Sequence, residues 1–363
     1  MEQDNSAAIE ALRRDLAELT ALHAPSGSEQ PVIARLYELL VPLTSQLHID
    51  YMGNLSATLE GPASAPHVVI SAHADEIGAM VARIEPDGFL RMHPLGGVQS
   101  RLLEGRAVWV KGHAGVVGAR PGHLTAKTTH SQGSLLEDLY IDLGVDDAAS
   151  VEAMGICVGD PITIVSELRN LAGTRVAGKG LDNRASCVVA LHLMRYFYEN
   201  PPDCRLTALF TVQEEVGLRG ALTAFANLAP DLVIVMDTSP ATGTPDTRHL
   251  PSPARIGKGT LITPLSQAGE KGFLLPHAAR EILIERAQRA HIPYQLALTN
   301  GGTTDAAAAH LTSGGIPTLE VKTPRRYSHS PVELLDLCDL AATFALVKEL
   351  VASPPTQKEL AFL

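Results

Sequence analysis

"GKGLDNRASCVVALHLMRYFYENPPDCRLTALFTVQEEVGLRG", residues 178–220, contains one full turn of the pattern that decides the fold. A glycine-rich turn, 178–184, runs into a stretch with helical apolar spacing, 185–200, and then into an apolar, strand-like run, 205–212. Downstream the alternation continues. "RGALTAFANL" (219–228) reads as a helix, "DLVIVMD" (231–237) as a strand, and "LPHAAREILIERAQRAHI" (275–292) and "DLCDLAATFALVKELV" (336–351) as helices. Strand–helix alternation implies an α/β layered domain with helices on both faces of a sheet.

Upstream the same domain begins with two expected helices. "SAAIEALRRDLAELTALHA" (6–24) follows a Ser6 cap, and "SGSEQPVIARLYELL" (26–40) has Ser28 as N-cap with Glu29 and Pro31 in its first turn. Strands are expected at "LSATLEG" (55–61) and "HVVISAHAD" (67–75), the second continuous enough to be covered on both faces. Between 77 and 172 the character changes to short β-rich pieces with frequent glycine, broken by one helical stretch, "DDAASVEAMGI" (146–156). Short strands at close spacing predict a small β-barrel or sandwich. The expected architecture is therefore α/β, a mixed sheet sandwiched by helices, with an inserted small β-barrel or sandwich. The main domain would be discontinuous, 1–76 plus 173–363, and the insertion would be 77–172.

At 363 residues, 45% hydrophobic and 19% charged, the chain has ample material for a core and is longer than one average domain. Its net charge of −11 argues against nucleic acid as a partner. Cys157, Cys187, Cys204 and Cys338 are far apart and form no CxxC pair, so they read as reduced core cysteines of a cytoplasmic protein. No apolar leader and no run long enough to span a membrane is present, so no membrane partner is expected.

Five segments place imidazoles or carboxylates where a predicted strand gives way to a loop: His73 and Asp75, Asp182, Glu214 with Glu215, Asp237, and His329. Ligand sites in open α/β sheets form at that edge. Each residue alone has an ordinary reading as a cap, a core histidine or a surface acid. Together they make the ligand set of a two-metal site for two divalent ions, zinc first, with cobalt or manganese as alternatives. The adjacent glutamates then have a rationale. On a strand they would face opposite ways; one can bind an ion while its neighbour takes a proton from metal-activated water. His73 would bind metal, with Asp75 fixing its tautomer.

"SAHADEIG" (71–78), "GKGLDNRAS" (178–186), "VQEEVGLRGA" (212–221), "VMDTSP" (235–240), "GGTTDAAAAHL" (301–311) and "PRRYSHSPVE" (324–333) resemble, in this order, the signatures of the tetrahedral and glutamyl aminopeptidases, cytosolic dinuclear metallo-exopeptidases. The insertion is similar to theirs through 115–124, 138–147 and 155–163. The resemblance implies a zinc-exopeptidase-like fold and the removal of N-terminal residues from short peptides. It implies that His73, Asp182 and Asp237 hold one metal, and that Asp182, Glu215 and His329 hold the other. Glu214 would be the general base and Asp75 the orienter of His73. It also implies a homo-oligomer, with dimers formed through the insertion and assembled into a dodecamer.

Several readings stay open. The metals could serve a deacylase, a carboxypeptidase-like hydrolase or a glycoside hydrolase, since relatives have carried a glucanase label; glycosidases, however, use two carboxylates without a metal pair. The chain could also be a non-catalytic peptide-binding shell. "GGTTDA" (301–306) reads either as a turn before a helix or as a substrate-facing loop. Arg325 and Arg326 read as surface charges, or as a site for a substrate carboxylate. Structural or interface roles are expected for His93, His113, His123 and His130.

Overall fold

The computed structural model describes residues 2–119, 123 and 135–361. The chain opens with α1 (Glu2–Ala21) and α2 (Gln30–Leu40). α1 begins ahead of Ser6, so Ser6 lies within the helix and does not cap it. Glu29, not Ser28, occupies the N-cap position of α2. Its carboxylate accepts from the backbone N–H groups of Gly27 (2.7 Å) and Gln213 (3.0 Å), tying the helix entry to a distant loop.

Three strands follow: β1 (Gln46–Ile49), β2 (Leu55–Leu59) and β3 (His67–His73). The next six are β4 (Gly78–Ile84), β5 (Leu90–Leu95), β6 (Ala107–Val110), β7 (His113–Val117), β8 (Ile141–Asp142) and β9 (Pro161–Ile164). They close into a barrel in the order β4-β5-β8-β7-β6-β9. Of the two forms the short strands allowed, the chain takes the barrel. Its fully buried Val81, Leu90, Val110, Ile141 and Val151 belong to a core cluster of their own. Val151 comes from α3 (Ala148–Ala153), whose N-cap Asp147 accepts from the Ser150 N–H at 2.7 Å.

The remaining elements are β10 (Arg169–Asn170), β11 (Arg175–Gly178), α4 (Leu181–Glu199), β12 (Arg205–Thr211), α5 (Arg219–Leu228) and β13 (Leu232–Pro240), then β14 (Thr260–Ile262), β15 (Leu265–Ala268), β16 (Lys271–Leu274) and α6 (His277–Arg289). They end with β17 (Tyr294–Leu296), β18 (Thr299–Asn300), α7 (Ala306–Ala309), β19 (Thr318–Arg326), β20 (Glu333–Asp336) and α8 (Leu337–Ala352). The large sheet runs β1-β2-β12-β3-β13-β19-β20-β11-β10, with β14 joined to β19 and β17 to β14. It is mixed: β12, β3, β13 and β19 are parallel to one another, whereas β2, β14 and β20 pair antiparallel. The fold is thus mixed α/β.

Every residue of β3 is buried, as a strand covered on both faces requires. α4 packs on β3 and β13, and α8 packs on β19. Register then sets what the sheet delivers to its carboxyl edge. Thr211 of β12 pairs with His73 of β3, so the residues just past Thr211 emerge beside that imidazole. Asp237 pairs with Lys322 and lies inside β13, since that strand continues three residues beyond the expected end. β20 lies between His329 and α8.

Asp15 of α1 fastens that helix to α4. It is 3% exposed and accepts from His192 Nε2 (2.8 Å) and from Arg195 Nη1. Burial opposes its ionisation, but Arg195 and then His192 outweigh burial and hold its carboxyl below the usual range. Asp15→Asn is expected to lower stability by about 1–2 kcal/mol at neutral pH. A depressed folded pKa gives stability that is present above the unfolded value of about 3.9 and is lost as pH falls through the folded value. Urea denaturation across pH should therefore show the gap between variant and wild type closing in acid.

Candidate metal centre

His73 ends the fully buried β3. Its Nδ1 lies 3.2 Å from the Asp75 carbonyl oxygen, which can only accept, so Nδ1 carries a proton and Nε2 faces the cavity. Nε2 is 3.4 Å from Asp182 Oδ1, 3.8 Å from Asp237 Oδ1 and 3.9 Å from Glu214 Oε2. The Asp75 carboxylate stands 3.4 Å from Nδ1 and does a second job. It accepts from Ser26 Oγ (2.6 Å) and from the backbone N–H groups of Glu214 (3.0 Å) and Glu215 (3.2 Å). The acid that follows the histidine thus anchors both glutamates.

Those glutamates are not on β12, which stops at Thr211. Gln213 takes a left-handed conformation (φ 55°), breaking the alternation that would have sent the two side chains to opposite faces. Both line the same cavity of about 440 Å³, together with His73, Asp182, Asp237 and His329.

Asp182 follows Gly180, whose φ of 61° turns the chain into α4. Asp182 itself is non-helical (φ −81°, ψ 104°), and its carboxylate does not cap the helix. One oxygen, Oδ1, faces His73 and accepts from Thr238 Oγ1 (3.0 Å). The other, Oδ2, accepts from Arg325 Nη2 (2.7 Å) and lies 3.3 Å from His329 Nε2. His329 Nε2 is also 3.2 Å from Glu215 Oε1.

The loop after β5 presses on this half of the site. A Cβ on Gly97 would fall 2.5 Å from His329 Nδ1, and one on Gly96 would fall 3.2 Å from Glu215 Cβ. The barrel segment therefore supplies part of the wall, through glycines that the sequence reading passed over.

Four carboxylates and two imidazoles meet here, all with buried side chains except His329, whose side chain is 28% exposed. Burial raises the Glu214 carboxyl well above its usual range, with Glu215, Asp237 and Asp305 adding to it and His73 opposing. Burial also raises Asp237, with Asp182 adding and His73 opposing. Asp182 goes the other way: burial opposes ionisation, but Arg325, His329 and His73 hold it well below the usual range. His329 is penalised by burial yet pushed up to about 11 by Asp182 and Glu215.

Buried Glu215 Oε1 has no hydrogen-bond partner. Ligand atoms held about 2.0–2.1 Å from a tetrahedral ion stand about 3.3 Å apart. The contacts of 3.2–3.4 Å between His73 and Asp182, Asp182 and His329, and His329 and Glu215 have that spacing. The residues fit divalent cations. His73 with Asp182 and Glu215, and His73 with Glu214 and Asp237, bring ligand atoms within 4.8 Å of one another.

Arg325 corrects the sequence reading. It is 2% exposed, so it is not a surface charge, and Asp182 and Glu333 engage it, so it is not free for a substrate carboxylate. Arg326 is half-buried. In "GGTTDA", Gly301 to Thr304 line the cavity, and buried Asp305 accepts from Thr211 Oγ1 at 2.5 Å. His113 Nε2 approaches the Met154 carbonyl oxygen at 3.1 Å, a structural contact. His93 and His123 are exposed, and His130 lies outside the described residues. Cys187 and Cys204 are core residues, but Cys157 and Cys338 are exposed, and all four are unpaired. Among the described residues no helix is long and apolar enough to cross a membrane.

The sequence model of the M42 glutamyl aminopeptidase family matches residues 53–346. The glutamyl aminopeptidase of Lactococcus lactis is 31% identical over 94% of this chain and 96% of its own length. An aminopeptidase from the archaeon Desulfurococcus kamchatkensis superposes with a TM-score of 0.90 at 34% identity, covering 97% of this chain and 96% of that one. The Pyrococcus horikoshii TET1 peptidase, which can assemble into a tetrahedron or a large octahedral shell, superposes with a TM-score of 0.84 at 27% identity over 94% of this chain and 99% of that one. With a family match over most of its length and a centre of clustered histidines and carboxylates, this chain belongs to the M42 glutamyl aminopeptidase family and is a peptidase.

Proposed function

We propose that the chain is an aminopeptidase that removes N-terminal residues from short peptides with two divalent ions and a glutamate base. The observation that carries this reading is the division of Asp182: one oxygen faces His73 and the other faces His329. A carboxylate so placed would bridge two ions, the first also held by His73 and Asp237, the second also by Glu215 and His329. The ions, zinc or else cobalt or manganese, would supply Lewis acidity and a water acidic enough to lose a proton near neutral pH.

The protein's own groups do the rest. Glu214 faces the same cavity without being needed as a ligand, so it is placed to take a proton from the attacking water and return it to the leaving amine. Asp75 positions the chemistry twice, through His73 and through the backbone of the two glutamates. Gly301 to Thr304 offer a wall for the peptide. A glycoside hydrolase would need none of the histidine set.

The domain reading follows: 1–76 plus 173–363 form a zinc-exopeptidase-like catalytic domain with helices on both faces of its sheet, and 77–172 form an inserted dimerisation domain. Dimers would build a dodecameric shell; the likeness to a relative that assembles into a tetrahedron supports this. Four unpaired cysteines support a cytoplasmic location.

Chelation should abolish hydrolysis of a panel of aminoacyl-nitroanilides, and re-added zinc, cobalt or manganese should restore it. Persistent activity in the chelated protein would sink the metal reading, and loaded protein inactive on every member of the panel would favour a binding shell. Glu214→Gln should cut kcat by about 10²–10⁴-fold while elemental analysis finds unchanged metal; a loss of metal instead would make Glu214 a ligand. Gly97→Ala should displace the His329 ring and weaken metal binding with little change in Tm, read by metal titration and thermal melting.

A further inference from the structure

Glu333 is unused by this chemistry, yet its carboxylate engages Asp182, Arg325 and His329 together. It is 2% exposed and opens β20, whose pairing with β11 sets Glu333 opposite Gly178, at the start of the turn that carries Asp182. Its Oε2 accepts from the Asp182 backbone N–H at 3.0 Å. Its Oε1 accepts from the His329 backbone N–H at 2.9 Å and from Arg325 Nη1. Arg325 in turn donates through Nη2 to Asp182 Oδ2.

One carboxylate therefore gathers three segments: the turn before α4, the end of β19, and the loop that follows it. One of the two backbone donors belongs to a residue that is otherwise costly to hold. His329 has a φ of 55°, a conformation that residues other than glycine seldom take. Asp182 is bent out of helical geometry at the start of α4. The guanidinium held by Glu333 is the one that fixes the oxygen of Asp182 facing His329.

We infer that Glu333 is the positioning residue of the centre, clamping Asp182 and His329 into the relative placement that the shared ion needs. The inference rests on the two-metal reading. Asp182 has other supports on its His73 side, in Thr238 Oγ1, so the ion held by Asp182, Glu215 and His329 depends on Glu333 more than the other.

The test is cobalt titration of the full-length chain, followed by visible absorption, with wild type, Glu333→Ala and Glu333→Gln. Wild type should take up two ions. Glu333→Ala should bind one of them 10–100-fold more weakly, with an altered absorption band for that ion and the other affinity unchanged. Glu333→Gln keeps the volume and one acceptor oxygen; it should fold, as circular dichroism would report, and fall between the two. Asp15→Asn, which weakens the fold elsewhere, should leave both affinities and both bands unchanged. If wild type takes up two ions and Glu333→Gln and Glu333→Ala bind both with wild-type affinity and spectrum, this inference fails alone. If wild type takes up no cobalt, the two-metal reading fails and takes the inference with it.

Discussion

Charge balance around the Asp182 carboxylate is the constraint on which the rest of the structure turns. Asp182, Glu214, Glu215 and Asp237 share one buried pocket, where like charges are costly and protonation or a counter-ion must answer them. Arg325 answers part of this on one side of Asp182. The imidazoles of His73 and His329 stand 3.4 and 3.3 Å from its two oxygens, the spacing that co-ligands of one ion have. Divalent cations would answer the rest, and they would turn a destabilising cluster into a source of activated water.

Each layer of the fold contributes to holding that cluster open. Parallel pairing of β12, β3 and β13 fixes the height at which His73, the glutamate pair and Asp237 emerge. The Asp75 carboxylate joins the first of these segments to the second. Glu333 joins the Asp182 turn to the His329 loop. The loop after β5 closes the remaining side with Gly96 and Gly97, where a side chain would press on Ile77, Glu215 and His329. The insertion is thus part of the wall of the centre, whatever it does in assembly.

Much of this was legible in the sequence. The strand–helix alternation and the unbroken apolar run of β3 predicted the α/β sheet because burial leaves a periodic trace. The six cavity residues stood out because imidazoles and carboxylates are rare at the ends of buried strands. What the sequence hid was three-dimensional. Nothing local separates Arg325 from Arg326, yet one is buried on Asp182 and the other is not. Glu333 reads as an ordinary acid before a helix, and its three donors come from segments up to 151 residues away. The left-handed turn at Gln213 has no glycine to announce it, so the two glutamates were expected to face apart. Cap positions were missed at Ser6 and Ser28 for a similar reason, since helix starts depend on packing as well as on a capping side chain.

In the proposed centre two cations share Asp182. Anomalous X-ray diffraction from crystals grown with zinc would test it most directly. Two peaks are expected about 3.5–4 Å apart, one on each side of the Asp182 carboxylate, with His73 beside the first and His329 beside the second. A single peak, or two peaks that do not share Asp182, would contradict it.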